Sequence, residues 1–346
     1  MKKTLIAMAA VAVAGVASAQ VTITGKYAFG YQSASVAGVN TTGGLTTDGD
    51  IVFAANEDLG GGMSIAASSA LKLRGRGTDT TDGRNATLML SGGFGTLMVG
   101  SIEAGNGIVG LGGAGAPVIG LDDSAKTLDG AGNVDIMRYI TPELAPGLTA
   151  YISRVEGVVG AGGSTSAVNQ LGANFSAGAL TARADMVNYA TGTTAAAVNG
   201  ACVTAAGDAV SALTSATATC TNGTVVRAYA AAKTLATAKD QRTRVSASYD
   251  LGMAKVGVGY QVASYQLAGT PDNKQTVVGV SIPMGAVTLG ALTATQKAGA
   301  TDKTGSEFGL NYAMSKRTNL RIATQTYKSG TAASDRTSQI RLMHSF

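Results

Sequence analysis

Val21-Thr22-Ile23-Thr24-Gly25-Lys26-Tyr27-Ala28-Phe29-Gly30-Tyr31-Gln32 is the stretch that decides the fold of this chain. Val21, Ile23, Tyr27, Phe29 and Tyr31 share one parity, with Gly25 among them; Thr22, Thr24, Lys26, Ala28, Gly30 and Gln32 share the other. A β-strand puts the two sets on opposite faces, because its side chains alternate with a period of two. One face is then apolar with aromatics towards its ends, and the other is small and polar. Lipid on one side and water on the other satisfy both faces at once.

One such segment proves little, since soluble antiparallel sheets also alternate. The signature, however, returns along the chain. Met63, Ile65, Ala67 and Leu71 oppose Ser64, Ala66, Ser68 and Lys72; Val245, Ala247 and Tyr249 oppose Arg244, Ser246 and Ser248. Val256, Val258, Tyr260 and Val262 oppose Gly257, Gly259 and Gln261, and Leu320 and Ile322 oppose Arg321 and Ala323. The connections alternate as well. Short Gly-bearing turns near Asp58–Gly62, Gly92–Gly95, Glu143–Gly147 and Asp250–Ala254 are interleaved with long polar links at Ser33–Thr47, Gly75–Gly83, Glu103–Val134 and Ala190–Gln241. These features predict an all-β chain: a transmembrane antiparallel β-barrel of sixteen strands, with short periplasmic turns and long external loops. Thr224–Lys239 is Ala-rich without Gly or Pro and reads either as a short helix or as part of an extra hairpin, which would make eighteen strands. Aromatics placed for an interfacial belt are Tyr27, Phe29, Tyr31, Tyr139, Phe175, Tyr189, Tyr249, Tyr260, Phe308, Tyr312 and Phe346.

The first residues do not belong to that fold. Lys2 and Lys3, the apolar run Leu5–Ala14 and the small-x-small triplet Ala17-Ser18-Ala19 read as a signal peptide over 1–19, leaving 20–346 as the barrel. Without Lys2 and Lys3 the 26 bases become 24 against 21 acids, so the net charge falls from +5 to +3. No Lys/Arg cluster forms a stripe for phosphate, so nucleic acid is not an expected partner. Past the leader no apolar run is long enough to cross a membrane as a helix. Glycine is abundant, at 48 residues, and tryptophan is absent, which suits strands and turns better than helices. Cys202 and Cys220 could close one disulfide within an exposed loop, or stand as two thiols; no further ligands lie near them for a metal.

Four segments in order resemble the general trimeric porins of Gram-negative bacteria, particularly the β-proteobacterial type. Asn56-Glu57-Asp58-Leu59-Gly60-Gly61-Gly62-Met63 is similar to that family's EDLGGGL turn, and Gly92-Gly93-Phe94-Gly95-Thr96-Leu97-Met98-Val99-Gly100 to its next turn and strand. Arg138-Tyr139-Ile140-Thr141-Pro142 resembles its RYTSP segment, and Phe346 its terminal aromatic. The resemblance implies a passive diffusion channel for ions and small hydrophilic solutes in the outer membrane, reached by export through the periplasm. It also implies a homotrimer in contact with lipid and lipopolysaccharide, and a third loop folded into the lumen. On this chain that loop is about 103–134, carrying the acids Glu103, Asp122, Asp123 and Asp129. Facing them would be wall bases on the polar parity: Lys26, Lys72, Arg74, Arg138, Arg244 and Arg321, with Arg138 placed by the motif beside the loop. From composition alone the loop reads instead as an exposed one with solvated acids, and each base other than Arg138 equally as a rim residue. Asp50 and Ser101 stand where relatives carry Arg, which puts the family's anion preference in question.

Two other classes stand beside the channel. An outer-membrane hydrolase would want a histidine base held by a third group, and the one histidine, His344, lies two residues from the C-terminus. No metal-ligand cluster or phosphate loop appears in the sequence, so neither a cofactor nor a metal is expected. A barrel closed by its loops and acting as an adhesin would differ from a channel in passing no current.

Overall fold

The computed structural model describes residues 20–72, 82–103, 106–121, 127–128, 133–157, 168–189, 200–203, 209–213, 224–227 and 239–346. The signal peptide expected over 1–19 lies outside the described residues. Sixteen strands close into one antiparallel barrel. They are β1 (Gln20–Val36), β2 (Val39–Gly60), β3 (Met63–Lys72), β4 (Asp82–Gly92), β5 (Gly95–Glu103), β6 (Asn133–Ile140), β7 (Leu148–Gly157), β8 (Val168–Ala177) and β9 (Leu180–Tyr189), followed by seven more. Those seven are β13 (Lys239–Asp250), β14 (Lys255–Tyr265), β15 (Asn273–Met284), β16 (Val287–Ala298), β17 (Thr301–Ala313), β18 (Thr318–Ser329) and β19 (Asp335–Ser345). Each strand pairs with its neighbour in sequence, and β9 pairs directly with β13.

Closure is made by the two ends of the chain. The β1–β19 ladder runs from Lys26 opposite Ser345 to Ser35 opposite Arg336. Gly25 and Phe346 then exchange both backbone hydrogen bonds, at 3.0 and 2.9 Å. The Phe346 ring stacks on Tyr27 with centroids 5.9 Å apart. A closed barrel leaves no strand edge unpaired, which a hydrocarbon surrounding requires.

Burial follows strand parity with the polar set inside. Val245 and Tyr249 are 48% and 47% exposed on the outer face, whereas Arg244, Ser246 and Ser248 between them are buried. Val21, Ile23, Phe29 and Tyr31 likewise face out, and Ala28 is buried. Tyr189 departs from the belt expected of it: it sits on the inward parity of β9, with the Arg242 guanidinium 5.9 Å from its ring.

Two expectations are corrected. Ser33–Thr47 is no long loop, because β1 and β2 continue through it as a ladder to a tight turn at Ala37 and Gly38. Both turn residues have positive φ, 52° and 82°, the geometry that matches the twist of a two-residue hairpin. Above the lipid both faces of a strand meet water, so the alternation that marks a strand fades while its hydrogen bonds persist. The extra hairpin is also overturned. β10 (Gly200–Val203), β11 (Ala209–Leu213) and β12 (Thr224–Arg227) form a separate three-stranded sheet, and the barrel count stays at sixteen. Thr224–Arg227 is therefore strand rather than helix. Cys202 lies on β10 opposite Ser211, while Cys220 and hence their pairing lie outside the described residues.

Candidate functional site

The apolar core of this protein lies between a loop and the inner wall, since the barrel turns its own greasy face outward. After β5 the chain enters at Asn106, whose amide donates to Gln275 Oε1 at 2.9 Å. It makes one helical turn, α1 (Val109–Gly112). Ile108, Leu121 and Leu128 are then fully buried against Val277, Leu292 and Ala294 of β15 and β16. At its far end the Glu307 carboxylate on β17 accepts from Ile119 N at 2.6 Å and Gly120 N at 3.0 Å. Gln325 on β18 donates to both Glu307 and the Gly120 carbonyl, each at 3.0 Å.

The seat is floored by glycine. A methyl group on Gly309 would collide with the Pro117 carbonyl oxygen, one on Gly257 with the Leu111 carbonyl, and one on Gly279 with Gly113. These wall positions let loop backbone lie directly on strand backbone. Gly309→Val therefore should displace the Pro117 region, since forcing methyl groups into a filled site costs about 1–3 kcal/mol. Recordings of single channels should show added sublevels and current noise, whereas Gly44→Val, in open space, should not. Identical quiet traces from both would mean that the glycine floor does not hold the loop.

Among the described residues, three groups of charge on the lumen wall stand out. In the first, the Arg138 Nε donates to Ser153 Oγ at 2.8 Å, and its guanidinium lies 4.7 Å from the Tyr151 ring. Arg183 donates to the Tyr151 hydroxyl at 2.8 Å. Asp185 accepts from Arg244 Nε at 2.8 Å and sits 3.5 Å from Arg183. In the second, Asp50 lies 3.0 Å from Lys26 and 2.7 Å from Arg84, and Arg84 reaches Glu103 at 3.5 Å. A register shift between Ser69 and Leu71 adds a residue to β4 and flips its parity, which turns Arg84 inward. In the third, Arg321 and Arg341 stand directly opposite each other on β18 and β19.

The expected site residues are thus distributed as follows. Lys26, Arg138, Arg244 and Arg321 are on the inner wall, and Lys72 is in register with Asp50 and Asp82. Glu103 ends β5 and pairs with a wall arginine, so it is the last residue of the wall rather than part of the inward loop. Arg74, Asp122, Asp123 and Asp129 lie outside the described residues. The family resemblance implies that Arg138 faces loop acids; among the described residues its partners are Ser153, Gln170 and Tyr151 of the wall. Residues missed from the sequence are Arg84, Tyr151, Arg183, Asp185, Glu307 and Arg341. Parity alone would have found Arg183 and Asp185, which alternate with Ala182 and Ala184. Arg154, on the apolar parity, faces outward and pairs with Glu156 at 3.4 Å.

A closed barrel, apolar outside and polar inside, with a loop packed on its inner wall, defines a membrane channel of the outer-membrane kind. The chain belongs to the Gram-negative porins, whose family model matches residues 5–332. No curated protein sequence matches it. Among solved structures, the anion-selective porin from Comamonas acidovorans superposes with a TM-score of 0.65 at 18% identity, covering 95% of this chain and 100% of that one. In-vitro folded OmpT of Vibrio cholerae, in its trimer form, gives 0.59 at 13% identity over 95% and 100%. A triple mutant of the Rhodopseudomonas blastica porin gives 0.58 at 14% over 94% and 100%. At these identities the likeness is one of fold. Family and fold together make this chain an outer-membrane diffusion channel.

Proposed function

We propose that the barrel passes ions and small hydrophilic solutes passively through a constriction formed by the third link, about 103–134, and that it favours anions. The observation that carries this reading is the seating of 106–121 on the inner face of β13 to β17, with the bases Lys26, Arg84 and Arg138 on the inward faces of β1, β4 and β6. The departures at Asp50 and Ser101 weigh less than they do in sequence, because Lys26 and Arg84 flank Asp50. Arg183 and Arg244 share the single carboxylate of Asp185, and Arg138 stands beside them over the Tyr151 ring with no acid bonded to it among the described residues. Fixed charges in a narrow aqueous gap select by sign and orient dipolar solutes. We read the chain as a channel and not an enzyme. In support, His344 is exposed and hydrogen bonds Thr318 at 2.9 Å, away from the lumen charges. Assembly as a homotrimer is proposed from the resemblance, with lipid and lipopolysaccharide against the outer face.

The test is single-channel current in a planar bilayer with reversal potential under a salt gradient. Large ohmic steps in groups of three and an anion-directed reversal potential are expected. Arg138→Ala should move that potential towards cations. Silence from correctly folded, heat-modifiable protein would overturn the pore, and an unchanged potential in Arg138→Ala would overturn the role of Arg138.

A further inference from the structure

Two of the three charged places on the wall are provided with carboxylates, one with Asp185 set against Arg183 and Arg244 and the other with Asp50 and Glu103 set against Lys26 and Arg84. The third is not. Arg321 and Arg341 are direct cross-strand neighbours on the inward parity of β18 and β19. Like charges directly opposite in an antiparallel pair destabilise it. Arg341 donates to Thr46 Oγ1 at 3.1 Å, reaching across Gly30, where there is no side chain to block it. Asp48, two residues along β2 from Thr46, is the nearest acid in register, and no ion pair joins it to either arginine. Glu307 on β17 is already engaged by the loop.

Unpartnered polar atoms concentrate at the same spot. The Nε atoms of Arg321 and Arg341 are buried without an acceptor; the Oδ1 atoms of Asn311 and Asn319 are buried without a donor, and with these amides turned over their NH2 groups would face an anion instead. Asn311 stands opposite Arg321 on β17. A buried donor without an acceptor costs free energy unless something fills the gap. Two planar guanidinium forks side by side, with their Nε donors free, match the spread oxygens of a tetrahedral dianion better than a lone halide.

We propose that Arg321 and Arg341 form an anion-binding subsite on the lumen wall, separate from the Arg138 group, that takes a doubly charged oxyanion: sulfate, or a phosphate group carried by a solute. One dianion neutralises both guanidiniums and removes the cross-strand repulsion. The subsite rests on the reading of the barrel as an aqueous pore, because solutes must reach its inner wall.

The experiment uses the purified full-length protein with inorganic sulfate as the probe, at constant ionic strength in chloride. Sulfate should raise the temperature at which the barrel unfolds and should reduce chloride current through the open channel, both with the same half-saturation. Arg321→Gln with Arg341→Gln should weaken both effects by about tenfold or more, the usual consequence of losing charge-assisted hydrogen bonds. The neutral pair should itself fold, because it removes repulsion from the ladder. Arg138→Gln should keep the sulfate effect while changing selectivity. A sulfate effect that survives the double change, or none in the unaltered protein, overturns the subsite. A channel that carries no current while sulfate still raises the unfolding temperature would overturn the pore reading and leave the subsite standing.

Discussion

Glu307→Leu should free the third link from the inner wall without opening the barrel. The carboxylate is fully buried, and it accepts from two successive backbone N–H groups, Ile119 and Gly120, and from the Gln325 amide. Leucine fills similar space and accepts nothing, so two amides lose a charged acceptor. Hydrogen bonds to charged groups contribute about 1.5–3 kcal/mol each, and these two are not additive. A loss of about 3 kcal/mol changes the docked-to-undocked ratio of the loop by roughly a hundredfold. The strand ladder around Glu307 does not depend on its side chain, since Glu307 pairs through backbone with Leu292 and Gln325. Heat-modifiability should therefore persist. Single-channel records should show a shifted conductance with frequent transitions between levels, and proteolysis of the folded protein should reach the 106–121 stretch. Glu307→Gln keeps one acceptor oxygen and should lie between the two. Quiet, full-size steps from the leucine variant would show that the apolar contacts of Ile108 and Leu121 hold the loop alone.

How much of this was legible beforehand follows from what each position must satisfy. In β1, lipid on one side and water on the other dictate opposite residue types at adjacent positions, so the strand and its faces can be read from Val21 to Gln32. The same demand ends where the lipid ends. The outer halves of β1 and β2 look like a loop in sequence because Thr42 to Thr47 carry no apolar alternation, although they continue the ladder. The seat of the loop was illegible for a different reason. Gly257, Gly279 and Gly309 act by lacking a side chain, and among 48 glycines nothing in the chain distinguishes a floor from a turn. Glu307 meets Gly120 across a separation of 187 residues, and a single acid on a polar parity reads as solvated. Arg84 was hidden by a bulge, which inverts the parity on which the other wall bases were found.

Asp185→Asn should be the second large effect, and its signature is electrostatic. The Asp185 side chain is 1% exposed and lies between Arg244, itself 9% exposed, and Arg183. The Tyr151 hydroxyl also donates to it at 3.4 Å. Removing one partner of a buried ion pair costs about 3–5 kcal/mol, because the other charge stays buried without compensation. Here three guanidiniums would be left, Arg138 joining Arg183 and Arg244 through the Tyr151 ring. The unfolding temperature should fall, and it should fall further at low salt than at high salt, since mobile anions screen what the carboxylate no longer does. Reversal potential should move further towards anions, because a fixed negative charge has left the wall. The two effects have separate controls. Adding Arg244→Met to Asp185→Asn should restore much of the stability, as contacting residues couple strongly, while removing one base and one acid returns the wall charge to its starting value. If the double variant regains stability and starting selectivity together, the Asp185–Arg244 pair sets both. Should selectivity stay shifted after stability returns, the loop is the cause. Arg244 packs against Gly107 at the start of the inward segment, so losing its guanidinium also changes how the constriction begins.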